Sequence, residues 1–166
     1  MKRIMIIAAA LLMACCAASA QDGRSIYNKY SGESGVEAVY ISPAMFKMIG
    51  ELPELTVDLD GDQVDMTPIV KSLNGMYILD SSNPEVNTYL SADVLGFAET
   101  GKFELLMEAK EEGETIKMYT SSSRRNNDFI NGFLLLVSEP EECTFIYIDG
   151  SMSRSDFEAL VGAAMQ

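Results

Sequence analysis

Apolar and polar positions alternate most regularly between Phe103 and Asp149, and the pattern there predicts four successive strands. Phe103, Leu105, Met107 and Ala109 alternate with Glu104, Glu108 and Lys110, the period of a half-buried strand. Glu111-Glu112-Gly113-Glu114 turns the chain. Ile116, Met118 and Thr120 then alternate with Lys117 and Tyr119, which completes a hairpin. Phe133-Leu134-Leu135-Leu136-Val137 has no polar position and predicts a strand covered on both faces. A fourth strand over 145–148 is closed by Asp149-Gly150.

Before this block the periods are mixed. Residues 24–30 predict a short helix with Ile26 and Tyr30 on one side, and 31–35 a turn. Val36-Glu37-Ala38-Val39-Tyr40-Ile41 predicts the first strand. Ser42-Pro43 supplies a cap and a first-turn proline for a helix that carries Met45, Phe46 and Ile49 and stops at Gly50. Thr67-Pro68 repeats the device for a short helix through Ile69, Val70 and Leu73, stopped by Asn74-Gly75. Residues 76–79 predict another strand. Ser82 and Glu85 have the spacing of a capping box and open the longest helix, with Val86, Leu90, Val94 and Phe97 as its apolar stripe and Gly101 as its end. A final helix is predicted where Phe157, Leu160, Val161 and Ala164 fall at i, i+3, i+4 and i+7 behind a Ser155–Glu158 capping pair. The order describes a single α+β domain over 21–166, a largely antiparallel sheet with helices packed on one face.

Residues 1–20 stand apart as a secretory signal peptide. Met1-Lys2-Arg3 is basic, residues 4–13 are an apolar run too short for a stable anchor, and Ala18-Ser19-Ala20 offers a small-x-small cleavage site. The expectation is export, to the periplasm or cell envelope of a Gram-negative bacterium. Cleavage after Ala20 would release a soluble protein. Leu12-Met13-Ala14-Cys15 offers a second route, lipidation at Cys15, with Met13 where a small residue is usual. Lipid would tether the domain to a membrane face; no membrane span is predicted.

Charge and residue content narrow the chemistry. The 166 residues are 48 % apolar, enough for a core without metal or disulfides, and carry a formal charge of −13. Clustered Lys and Arg for phosphate contacts are lacking, so nucleic acid is not an expected partner. There is no histidine, which excludes Ser-His-Asp and Cys-His arrangements and histidine metal sites. Of three cysteines, Cys143 lies in the folded part, next to Thr144-Phe145, and reads as a small buried apolar residue. The acidic stretch from Asp58 to Asp65 resembles a calcium loop, but an EF-hand frame starting at Asp58 puts Gln63 and Ile69 where glycine and glutamate are required. It reads instead as a solvated acidic connection. No catalytic set, metal site or cofactor is expected.

Several landmarks together resemble a known family. They are Tyr27-Asn28-Lys29-Tyr30-Ser31 before the first strand, Ser42-Pro43-Ala44-Met45-Phe46 after it, Gly75-Met76-Tyr77-Ile78-Leu79, Phe103-Glu104-Leu105-Leu106-Met107-Glu108, and Ile146-Tyr147-Ile148-Asp149-Gly150 before the last helix. This order resembles domain-of-unknown-function family 4252 over nearly all of the mature chain. The resemblance implies a small exported protein of a Gram-negative bacterium, in some members a lipoprotein, with no established activity and no catalytic residue to carry over. Members encoded near extracytoplasmic sigma factors imply a link to envelope signalling.

The leading expectation is a non-enzymatic envelope domain that binds a protein or peptide partner. The alternative is a carrier of small apolar ligands, with a Met- and Phe-lined pocket between sheet and helices. A solid core with an exposed apolar patch or open sheet edge would favour the first reading; an enclosed apolar cavity would favour the second.

Overall fold

The computed structural model describes residues 22–50, 56–59, 62–65, 67–122 and 129–155. The leader, Cys15 and the helix expected over 157–164 lie outside the described residues. The elements are α1 (Gly23–Tyr30), β1 (Val36–Ile41), α2 (Pro43–Gly50), β2 (Thr56–Leu59), β3 (Asp62–Asp65), α3 (Thr67–Lys71), β4 (Leu73–Ser81), α4 (Pro84–Thr100), β5 (Glu104–Glu111), β6 (Glu114–Ser122), β7 (Phe129–Ser138) and β8 (Cys143–Ser153). Six of the strands form one antiparallel sheet in the order β1-β4-β8-β7-β6-β5, so the fold is α+β.

The predicted helices start where caps allow. Asp22 caps α1: its carboxylate accepts from the Ser25 amide at 2.7 Å, and the Ser25 hydroxyl accepts from the Asp22 amide. The cap of α4 is Asn83 rather than Ser82. Asn83 Oδ1 accepts from the Glu85 amide at 3.1 Å, while the Ser82 hydroxyl donates to the Gly35 carbonyl. Ser82 is spent tying the turn before β1 to the start of α4, so its neighbour does the capping.

Other boundaries moved for the same kind of reason. The short helix expected to reach Leu73 ends at Lys71, and Leu73, Asn74 and Gly75 already belong to β4. Pairing with β8 pulls them into the sheet, with a register shift between Leu73 and Gly75 that absorbs the extra residue. The acidic connection is not a plain loop: β2 and β3 pair antiparallel as a hairpin. In β7, Asn131-Gly132 does not break the strand, because Gly132 takes φ 83 at a register shift against β8.

The register sorts the side chains into two faces. On one, Leu79, Phe145 and Leu136 pair in a cross-strand row, and Tyr77, Tyr147 and Leu134 form the next. Ile26 and Tyr30 of α1 and Val86, Leu90, Val94 and Phe97 of α4 close over these rows to make the core cluster. Burying each of these large side chains contributes about 1.5–3 kcal/mol. Packing is closest where α1 begins: a Cβ on Gly23 would overlap the Tyr147 ring.

The other face carries a row that crosses the whole sheet, Val39–Ile78–Ile146–Leu135–Met118–Met107. None of the six belongs to the buried core cluster. The expectation that 133–137 is covered on both sides is therefore corrected. Leu134 and Leu136 are buried, whereas Phe133, Leu135 and Val137 are only half-buried on the opposite face.

Candidate functional site

α1 and α4 reach β4, β8 and β7, and no comparable helix contact with β5 or β6 exists among the described residues. Among the described residues β5 is thus an outer strand with one partner, β6, and its other edge unpaired. An open edge presents unpaired backbone donors and acceptors, which natural sheets usually blunt.

The side chains on this edge are unusual. Leu105, Leu106 and Met107 are 52, 46 and 42 % exposed, three consecutive large apolar residues. The sequence pattern placed Leu105 and Met107 on a half-buried face, and the structure corrects this. The register against β6 shifts between Leu105 and Met107, so Leu106 is an inserted residue and its neighbours fall on opposite faces: Leu105 pairs Tyr119, Met107 pairs Met118. The signal was present in the sequence, since Leu106 breaks the alternation, but alternation alone does not say which strand is outermost.

Charge frames the apolar triplet. Glu108 lies between Lys110 at 3.2 Å and Lys117 at 3.4 Å, and these two ammonium groups hold its carboxyl below the usual range. Lys117 pairs Glu108 across the hairpin in the row that continues from Leu136, on the face that carries α1 and α4 but at the end where those helices make no comparable contact. Both lysines are thereby engaged, while Glu104, Glu111 and Glu112 are exposed, so the free edge is apolar in the middle and acidic at its ends.

The opposite edge, β1, exposes Val39 and Tyr40. Tyr40 stacks on Tyr77 with ring centroids 4.8 Å apart, and Tyr27 leans on both. These rings hold one another and α1 against the sheet, a packing role.

Two open clefts flank the first turns of α4. One, of about 290 Å³, is lined by Lys29, Glu33, Asn83, Glu85 and Tyr89; the other, of about 260 Å³, by Asn87, Thr88, Ser91, Ser138 and Glu139. Both lie beside the helix and mix these polar residues with Tyr30 and Val86 in the first cleft and Pro84 and Pro140 in the second; neither is lined by Met or Phe, as the pocket between sheet and helices expected of a carrier would be. Asn87 is nearly buried, and neither its oxygen nor its nitrogen has a hydrogen-bond partner among the described residues.

Cys143 is fully buried, and burial together with Asp80 pushes its thiol up to about 11. A thiol held protonated in the core is a poor nucleophile, in keeping with the packing role read from the sequence. Burial likewise pushes the Tyr147 phenol up to about 12, with help from the Asp149 and Asp22 carboxylates. Asp149 in turn is raised by its own burial and by Asp22. Among the described residues no group of His, Cys, Asp and Glu is arranged to hold a metal ion, and no helix is long and apolar enough to cross a membrane. Of the acidic stretch, the backbone over 56–59 and 62–65 is described; Asp60 and Gly61 are outside the described residues.

The model of the family called Domain of unknown function (DUF4252) matches residues 30–160. The chain belongs to DUF4252. The match runs from the end of α1 through every strand of the sheet, so the β5 edge and both faces lie inside the DUF4252 region. No curated protein and no solved structure matches the chain.

Proposed function

We propose that this DUF4252 domain is a non-enzymatic, exported envelope domain that binds a protein partner by strand addition at β5. The observation that carries the reading is the run of three exposed apolar residues, Leu105, Leu106 and Met107, on an open sheet edge. Such a run exposed to water favours aggregation, so its presence on a secreted protein makes sense when a partner covers it. An added strand would satisfy the edge amides and carbonyls, and its alternate side chains would meet the apolar triplet. The acidic residues at either end, Glu104 and Glu111, suit a partner segment with Lys or Arg flanking apolar side chains. The leader at 1–20 supports placement in the envelope, where such a partner could belong to a signalling complex.

The test is affinity capture of the mature chain from envelope extracts, with mass spectrometry, against a Leu106→Asp variant. The expected result is a partner recovered by the natural chain and lost with the variant, while the variant keeps its unfolding midpoint. A partner held equally by both would place the dock elsewhere. No protein enriched over a tag-only control would count against partner binding itself.

A further inference from the structure

The cleft between the first turns of α4 and the end of β7 opens where the side chains of the sheet turn small. Ser81, Cys143, Ser138 and Thr115 pair across β4, β8, β7 and β6, one row beyond Leu79, Phe145 and Leu136 on the same face. The larger side chains fill the space under α4. The smaller ones do not, and about 260 Å³ remains open to solvent.

Asn87 lines this cleft and is 5 % exposed. Among the described residues it is the one buried side chain whose nitrogen and oxygen both lack a partner. Buried amides are nearly always hydrogen-bonded, and one left bare costs the fold. Asparagine offers a donor and an acceptor side by side. That pair matches one residue of an extended peptide, which presents its own N–H and C=O along one edge, as in an antiparallel ladder. The χ2 torsion of asparagine is soft, so the amide turns toward the cleft at little cost.

We propose that this cleft binds a short, extended peptide segment with a basic side chain, the Asn87 amide pairing with its backbone and Glu139 facing its cation. Glu139 lies on the cleft, and its amide donates to the Glu142 carbonyl at 2.8 Å, which ties down the turn after β7. No Lys or Arg is found among the described lining residues, so nothing there would receive an anion. The Thr88 hydroxyl donates to the Pro84 carbonyl at 3.1 Å and keeps lone pairs for a further N–H. Ser91 and Ser138 add hydroxyls from the two walls. The volume is just under the roughly 300 Å³ at which small-molecule sites begin, so it suits a short segment. The cleft shares no residue with the Leu105–Met107 run and is separate from strand addition at β5.

Nitrogen-15 NMR of the mature chain tests the site with two blocked dipeptides, acetyl-Ala-Lys-methylamide and acetyl-Ala-Glu-methylamide. The Asn87 side-chain peaks should shift saturably with the lysine peptide, at an affinity at least about threefold above that for the glutamate peptide. The backbone peaks of Thr88 and Ser138 should move with them. In Asn87→Leu those backbone peaks should stay still, while the unfolding midpoint holds or rises, because an unpartnered amide gives way to an apolar group of similar size. Glu139→Lys leaves Asn87 in place and should reverse the preference between the peptides, a reading that does not depend on the leucine variant. Asn87 peaks that stay still with both peptides would overturn the proposal. So would Thr88 and Ser138 shifts that persist in Asn87→Leu, or equal affinity for the two peptides. A marked fall in the Asn87→Leu midpoint would mean that the amide is already satisfied within the fold, and would overturn it as well. Leu106→Asp should bind the lysine peptide like the natural chain, so the cleft and the β5 edge are tested separately.

Discussion

Leu135 and Leu136 are neighbours on β7, yet Leu136 is 2 % exposed in the core under α4 while Leu135 is half-buried on the opposite face. Leu136→Ala should cost about 2–5 kcal/mol, from lost transfer energy and the cavity left behind. Leu135→Ala should cost less than half as much. Urea unfolding of the two variants measures the difference. Equal costs would show that the opposite face is as tightly packed as the core.

Gly23 is held in place by a ring. A Cβ there would overlap Tyr147, so Gly23→Ala must push the start of α1 off the sheet and should cost about 1–3 kcal/mol. Gly32 has no atom within 4 Å of its would-be Cβ, and Gly32→Ala should be neutral or slightly stabilising. Thermal unfolding of both variants makes the comparison.

Asp93 joins α4 to α1. Its Oδ2 accepts from the Tyr30 hydroxyl at 2.8 Å and from the Lys29 ammonium at 2.6 Å, and the carboxylate holds the Lys29 ammonium above its usual range. Tyr30 is buried and Lys29 is exposed, so the two bonds differ in weight. Asp93→Ala should cost about 1–3 kcal/mol by stranding the tyrosine hydroxyl. Lys29→Ala should cost less than about 1 kcal/mol, as exposed pairs do. A double-mutant cycle with Tyr30→Phe would assign the larger share to the tyrosine.

Alkaline pH should unfold this protein early. The Cys143 thiol is raised from 9.0 to about 11 and the Tyr147 phenol from 10.0 to about 12, so both groups favour the protonated form in the folded state. Their contribution is complete below about pH 9 and is lost as pH rises toward 11 and 12, where only the unfolded chain ionises freely. Urea midpoints measured from pH 7 to 11 should fall steadily above pH 9. Tyr147→Phe should flatten the upper part of that curve.

Apart from the β2–β3 hairpin, which read as a solvated acidic connection, the order of the described elements was legible because each rests on local physics. The 3.6-residue stripe of α4, the Ser42-Pro43 start of α2 and the alternation in β6 each express a backbone preference that neighbours in sequence suffice to set. The absence of histidine and the apolar setting of Cys143 were equally plain, and so was the family.

What only the tertiary structure decided is which apolar residues are sealed. Leu105 and Met107 read as one half-buried face by their period, but β5 is an outermost strand and an inserted Leu106 puts its two neighbours on opposite faces, all three of them exposed. The run 133–137 is apolar on both sides, yet α1 and α4 pack on only one of them. Ser82 had the right spacing to cap α4 and lost the role to Asn83 because the Gly35 carbonyl engages it. Strand order, the covered face and competition for a hydroxyl depend on residues far apart in the chain. Period and spacing carry no information about such contacts, and they decide where the free edge of this sheet lies.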